Sequence, residues 1–86
     1  MVGGMKVKFI AKHIKFVETE IEYGRPVYEI RNNKTNGILG QVGWYPAWKQ
    51  YVAHFEEMSV WSHDCLEDVR QFILKEKSDG AVQQEG

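Results

Sequence analysis

Cysteine is nearly absent from this chain: Cys65 is the only one among 86 residues. A single thiol closes no intramolecular disulfide, and without a CxxC pair it outlines no zinc site. Proline is equally scarce, with only Pro26 and Pro46, so few positions force regular structure to stop. No apolar run is long enough to cross a bilayer. The opening residues Met1-Val2-Gly3-Gly4-Met5-Lys6 lack the apolar core of a signal peptide. These absences set the expectation of a cytoplasmic protein with no membrane partner.

With 43% hydrophobic and 27% charged residues, the chain reads as folded and globular rather than disordered. Its length allows one domain, near the lower limit for a self-sufficient core. Chains this small reach stability through an aromatic-rich core or by burying surface in an oligomer. Aromatics make up 13% of this one, which suits either route and makes a homodimer an expectation. Charge is polarised. Residues 1–51 carry eight Lys and Arg against four Glu, whereas residues 52–86 carry three against eight acids. The first half is therefore basic and the second acidic, a distribution that can orient a charged partner.

Alternation of apolar and polar residues predicts strands. Residues 6–18 place Val7, Phe9 and Ala11 on one face, but Ile14 and Phe16 fall in the opposite register, which reads as a bulge or as a strand whose second half is covered on its other face. Glu18–Pro26 reads as a turn, Val27–Arg31 as a second strand, and the loop from Asn32 ends in Asn36-Gly37, a hairpin signal. Ile38–Trp44 is a third strand, Tyr45-Pro46-Ala47-Trp48 a turn, and Trp48–Phe55 a fourth strand; Ser59–Trp61 reads as a short edge strand. Gly40 and Gly43 weaken a strand unless another group crosses closely there. Ser62 suits a helix N-cap, with Asp64 in the first turn and an apolar stripe of Cys65, Leu66, Val69, Phe72 and Ile73. The expected architecture is α+β: an antiparallel meander of about four strands and one C-terminal helix packed on it. Residues 1–77 would form this single domain and residues 78–86 a disordered tail.

Aromatic residues concentrate in residues 37–51, which hold two of the three Trp and two of the four Tyr. They read as core, as a partner hot spot, or as the lining of a small pocket. Eleven aromatics in all exceed what one sheet face and one helix stripe bury, so some are expected to meet a partner. The expected contact patch is Trp44, Tyr45, Trp48 and Tyr51, with Arg31 and Lys49 at its rim.

The alternative is a nucleic-acid-binding regulator in which Lys6, Lys8, Lys12, Arg31 and Lys49 track phosphates from a sheet face. A three-stranded sheet followed by a helix is similar to AP2-like DNA-binding domains, although those carry a strongly basic balance and this chain has a net charge of −1. Lysines on strands also serve to discourage edge-to-edge pairing. His13, His54 and His63 match no metal-ligand spacing. Cys65 has no sequence partner placed to act as its base, and on the apolar stripe it reads as a small hydrophobe. The expectation is a non-enzymatic protein without metal or cofactor.

From Tyr28 to Ile73 the chain resembles a group of short bacterial, prophage and phage proteins of uncharacterised function. The resemblance rests on Tyr28-Glu29-Ile30-Arg31-Asn32, on Leu39-Gly40-Gln41-Val42-Gly43-Trp44-Tyr45-Pro46-Ala47-Trp48-Lys49-Gln50-Tyr51, and on Val60-Trp61-Ser62-His63-Asp64-Cys65-Leu66-Glu67-Asp68-Val69-Arg70-Gln71-Phe72-Ile73. It implies the setting of a mobile genetic element, where small accessory proteins act by binding a host or defence protein.

Overall fold

Five antiparallel strands lie in the order of the chain, with one helix across one face. They are β1 (Lys6–Ile10), β2 (Ile14–Glu22), β3 (Arg25–Asn32), β4 (Ile38–Tyr45) and β5 (Gln50–Phe55), followed by α1 (His63–Glu85). The computed structural model describes the backbone of residues 6–85 and the side chains of residues 6–77. Residues 1–5, where a leader was sought, lie outside the described residues. The architecture is the α+β meander read from the sequence, with one more strand.

The extra strand comes from the parity slip at Ala11. It marks a tight reversal between β1 and β2 rather than a bulge in one long strand, closed by the Ala11 N–H donating to the Ile14 carbonyl at 2.8 Å. Asn33 braces this turn from outside the pair. Its Nδ2 donates to the carbonyls of Ala11 (2.8 Å) and Lys12 (3.2 Å). β2 and β3 run further than read and leave only Tyr23-Gly24 between them. Both residues take left-handed φ (54° and 74°), the geometry that matches the twist of a two-residue hairpin.

At the β3–β4 loop, Oδ1 of Asn32 accepts from the amides of Lys34 and Thr35, and Asn36 alone takes positive φ (63°). At the β4–β5 turn the Tyr45 carbonyl accepts from Trp48 and Lys49, with Lys49 at φ 55°. The short strand read at Ser59–Trp61 is not formed. Met58 at φ 70° leaves the extended region, and Ser59 folds its amide and hydroxyl back to the Glu56 carbonyl.

Strand pairing assigns the faces. Phe16 lies opposite Phe9 and Ile30, Ile30 opposite Gly40, and Gly40 opposite Phe55; Tyr28 lies opposite Val42, and Val42 opposite Ala53. These rows make the face under α1. Ser62 caps the helix, its Oγ accepting from the Cys65 amide at 3.2 Å. Val69, Phe72 and Glu76 are buried at helical spacing, with Cys65 and Ile73 partly covered. Leu66, read as part of this stripe, is instead 44% exposed. Phe72 is the plug: its ring stacks on Phe16 at 4.1 Å between centroids and meets Tyr28 edge-on at 4.8 Å. The helix also continues past Lys77 to Glu85. Ser78-Asp79-Gly80 is a weak stop, and Ala81, Gln83 and Gln84 favour helix.

Candidate functional site

Strand alternation divides the aromatic block. Trp44 and Tyr51 are cross-strand partners on the helix side. Their rings meet edge-on at 5.4 Å, with Tyr51 only 8% exposed and Trp44 packed against the core. The Arg25 guanidinium caps this pair, with Cζ 3.8 Å from the Trp44 ring centroid and 5.9 Å from that of Tyr51. A cation over an indole face at this distance is attracted by the ring quadrupole. Trp44 and Tyr51 are thus structural residues, sealing the open end of the core beyond the helix-covered rows.

Tyr45 points the other way. Its ring meets Trp48 edge-on at 5.0 Å and 84°, and the two are 38% and 64% exposed. The turn places them together: Tyr45 ends β4, Pro46 presets the bend, and the Tyr45 carbonyl accepts from the Trp48 amide at 3.1 Å. Lys49 follows on the same turn, exposed. The result is an exposed, preorganised aromatic tip with an adjacent cation. Of the expected contact patch, Tyr45, Trp48 and Lys49 share this tip. Arg31 does not, because it lies on β3 near the opposite end of the sheet, beside the β3–β4 loop.

Arg31 belongs to a second feature, on the sheet face that α1 leaves uncovered. Its Nε donates to Oε1 of Glu29 (2.9 Å) and its Nη1 to the Asn36 carbonyl (3.1 Å), which leaves the side chain 17% exposed. Lys15 lies directly opposite it across β2 and β3. Lys6, Val7, Lys15, Val17, Arg31 and Asn36 line a shallow depression of about 200 Å³. Of the basic set read for nucleic acid, Lys6 and Arg31 come together here. Lys8 falls at the bulge in β1, Lys12 in the β1–β2 turn, and Lys49 at the far end of β4.

The remaining reactive side chains do not converge. Among the described residues no group of three His, Cys, Asp or Glu side chains is placed to hold a metal ion. No helix among them is long and apolar enough to cross a membrane. His63 is exposed beside Asp64 at 3.2 Å, and Cys65 packs against the core. Among the described residues the one buried polar pair is Tyr28 and Glu76: the Tyr28 hydroxyl donates to Oε1 at 2.9 Å. Burial first, and then this bond to a carboxylate, push the Tyr28 hydroxyl well above its ordinary pKa.

Sequence reasoning missed Lys15, Asn36, Arg25 and Glu76. Lys15 carried a usable signal, because the parity slip at Ala11 puts it on the face opposite Phe16. Glu76 did as well, four residues beyond Phe72 on the same helical face. Arg25 over Trp44 depends on the two-residue turn before it and had no local signature. No family model matches the chain, and neither a curated protein nor a solved structure gives a significant match.

Proposed function

We propose that the protein is a non-enzymatic binding protein that contacts a protein partner through the aromatic tip formed by Tyr45 and Trp48. One observation carries this reading: two large aromatic side chains are exposed together on a turn held by backbone hydrogen bonds, while the neighbouring pair Trp44 and Tyr51 is consumed by the core. Trp and Tyr dominate binding energy where a partner buries them. A rigid turn lowers the ordering cost of such a contact. Lys49 supplies a charge beside the rings, which suits an acidic margin on the partner. The resemblance to phage and prophage proteins supports an accessory role against a host or defence protein, by analogy alone. Val7, Phe9 and Ile10, exposed on edge strand β1, support a homodimer as part of the same reading.

The test uses Tyr45→Ala with Trp48→Ala in the full chain. Far-ultraviolet circular dichroism establishes that the variant folds. Affinity capture from a host extract and light scattering then compare it with the native chain. Loss of a captured partner with the fold intact supports the tip as the contact surface. If the variant captures the same proteins in the same amounts, the tip is not the contact. A scattering mass near twice the 10.0 kDa monomer supports the dimer, and a mass near 10.0 kDa removes it.

A further inference from the structure

We propose that the free edge of β5 binds the same edge of a second copy of this chain, antiparallel, so that the two sheets join into one. This contact rests on the homodimer part of the function proposed above, with β5 rather than β1 as the edge. Tyr45 and Trp48 lie outside the paired residues, so the aromatic tip is a separate surface.

Hydrogen bonding along β5 leaves a row of free backbone groups. The sheet ends at this strand. The Glu56 amide donates to the Leu39 carbonyl at 2.9 Å, and alternation from that bond gives His54, Val52 and Gln50 the bonds to β4. The N–H and C=O groups of Tyr51, Ala53 and Phe55 therefore point away from the sheet. Among the described residues no turn or loop backbone group bonds to them. The helix leaves them open as well. Its Phe72 reaches Phe16 on β2 and Phe9 on β1, so α1 crosses away from this edge.

The opposite edge is defended and this one is not. β1 carries Lys6 and Lys8 within five residues, and a bulge between Val7 and Phe9. Lysines and bulges both keep edge strands from pairing. Two β1 strands side by side would also bring the lysines of the two copies together. β5 has no lysine, no proline and an unbroken register with β4.

Self-complementarity selects a second copy as the occupant. Only one antiparallel register sets Tyr51, Ala53 and Phe55 opposite that same set in the other copy. Ala53 then faces Ala53 on the two-fold axis, Tyr51 faces Phe55, and Val52 faces His54. The smallest side chain of the strand sits at the axis. Phe55 is 45% exposed, with only Trp61 tilted against its ring at 4.3 Å, and it gains an aromatic neighbour across the strands. The charges agree with this direction. Lys49 precedes the strand and Glu56 and Glu57 follow it, all three exposed. Each end of the pairing thus brings Lys49 of one copy to Glu56 and Glu57 of the other. One lysine meets two glutamates there, and Arg25, set back over Trp44 and Tyr51, supplies a second cation on the Lys49 side. A parallel pairing in register would set like charges together.

The experiment combines sedimentation equilibrium of the full chain and its charge-reversal variants with amide hydrogen exchange. The native chain should give a mass near twice the 10.0 kDa monomer. Its Tyr51, Ala53 and Phe55 amides should be protected, and should lose that protection on dilution to the monomer. Lys49→Glu and Glu57→Lys, both at exposed turn positions, should each weaken the dimer about tenfold. Mixing the two variants should recover it, because each end then pairs a glutamate with a lysine. Ile10→Glu on β1 should leave the mass unchanged. A native mass near 10.0 kDa at all concentrations overturns this contact together with the homodimer. A dimer in which the Tyr51, Ala53 and Phe55 amides exchange freely, or which Ile10→Glu dissociates, overturns the β5 contact alone. So does a mixture no more associated than either variant by itself. A mass that climbs beyond twice the monomer overturns it in favour of open head-to-tail assembly. Capture of a different protein through Tyr45 and Trp48 is read by its own variants and is untouched by these outcomes.

Discussion

The hydroxyl of Tyr28 reaches across the sheet–helix interface and donates to Oε1 of Glu76 at 2.9 Å, joining β3 to the helix in a site where both residues are buried. The second carboxyl oxygen, Oε2, has no hydrogen-bond partner among the described residues. Burying an acid with one of its oxygens unmatched is costly, so the single donor from Tyr28 matters more than an average hydrogen bond.

Removing that donor should therefore be expensive. Tyr28→Phe keeps the ring against Phe72 but strands the Glu76 carboxyl, with an expected cost of about 1–3 kcal/mol. Glu76→Leu added to Tyr28→Phe should recover much of the loss, because it removes both polar groups together. Urea denaturation of the four proteins in a double-mutant cycle measures this coupling. Additive losses would show that the two groups act independently.

The same pair predicts a response to alkali. The folded state holds the Tyr28 hydroxyl above its ordinary pKa, mainly through burial, so folding keeps a proton that the unfolded chain releases above about pH 10. Below that value the hydroxyl is protonated in both states and contributes no slope. Above it, stability should fall by up to about 1.4 kcal/mol per pH unit from this group. Tyr28→Phe should show a shallower decline over the same range, as read from urea midpoints between pH 9 and 11. Equal slopes in the two proteins would contradict the assignment.

Gly40 and Gly43 should behave oppositely although they share a strand. A Cβ on Gly40 would run into the His54 carbonyl oxygen and lie 3.2 Å from the Phe55 Cα, both backbone atoms of the paired strand. Gly40→Ala should therefore cost about 1–3 kcal/mol by overpacking. A Cβ on Gly43 would sit 3.8 Å from Val27 Cγ2, ordinary contact distance. Gly43→Ala should be neutral or stabilising, since alanine restricts the unfolded chain. Thermal melts of the two variants decide this.

These glycines also show how far the sequence can be read. A glycine inside a strand signals close approach, and at Gly40 that approach exists; at Gly43 the same signal precedes open contact with a valine. The meander, the N-cap at Ser62 and the turn at Pro46 were legible because each rests on neighbours in sequence. The parity slip at Ala11 was visible but fits a bulge or a reversal equally well, and what marks the reversal is the brace from Asn33, far along the chain. The sorting of Tyr45 from Trp44 was implicit in alternation, yet which face the helix covers depends on packing between distant elements. The pairing of Lys15 with Arg31 required two strands in register, which no local pattern encodes.

That sorting gives a direct contrast in stability. Tyr51→Ala empties a core position next to Trp44 and should cost about 3–5 kcal/mol, as for other large aromatic truncations. Trp48→Ala, at an exposed turn, should change stability by no more than about 0.5 kcal/mol. Chemical denaturation of each single variant measures the difference. A large loss in Trp48→Ala would mean that the tip supports the fold rather than standing free of it.

Asn33 provides the last test, because it ties β1 to the rest of the sheet. Among the described residues β1 pairs only with β2, and its turn is held from outside by the two bonds from Asn33 Nδ2 and by the Asn33 amide donating to the His13 carbonyl at 3.0 Å. Asn33→Ala removes the side-chain donors and leaves two carbonyls to solvent, so the effect should be local: faster hydrogen exchange in residues 6–14 with β4 and β5 unchanged. Asn33→Asp should be worse, since a carboxylate oxygen replaces the donor and faces the same carbonyls. A uniform rise in exchange across all five strands would show that the sheet opens as one unit and that Asn33 holds no separate hinge.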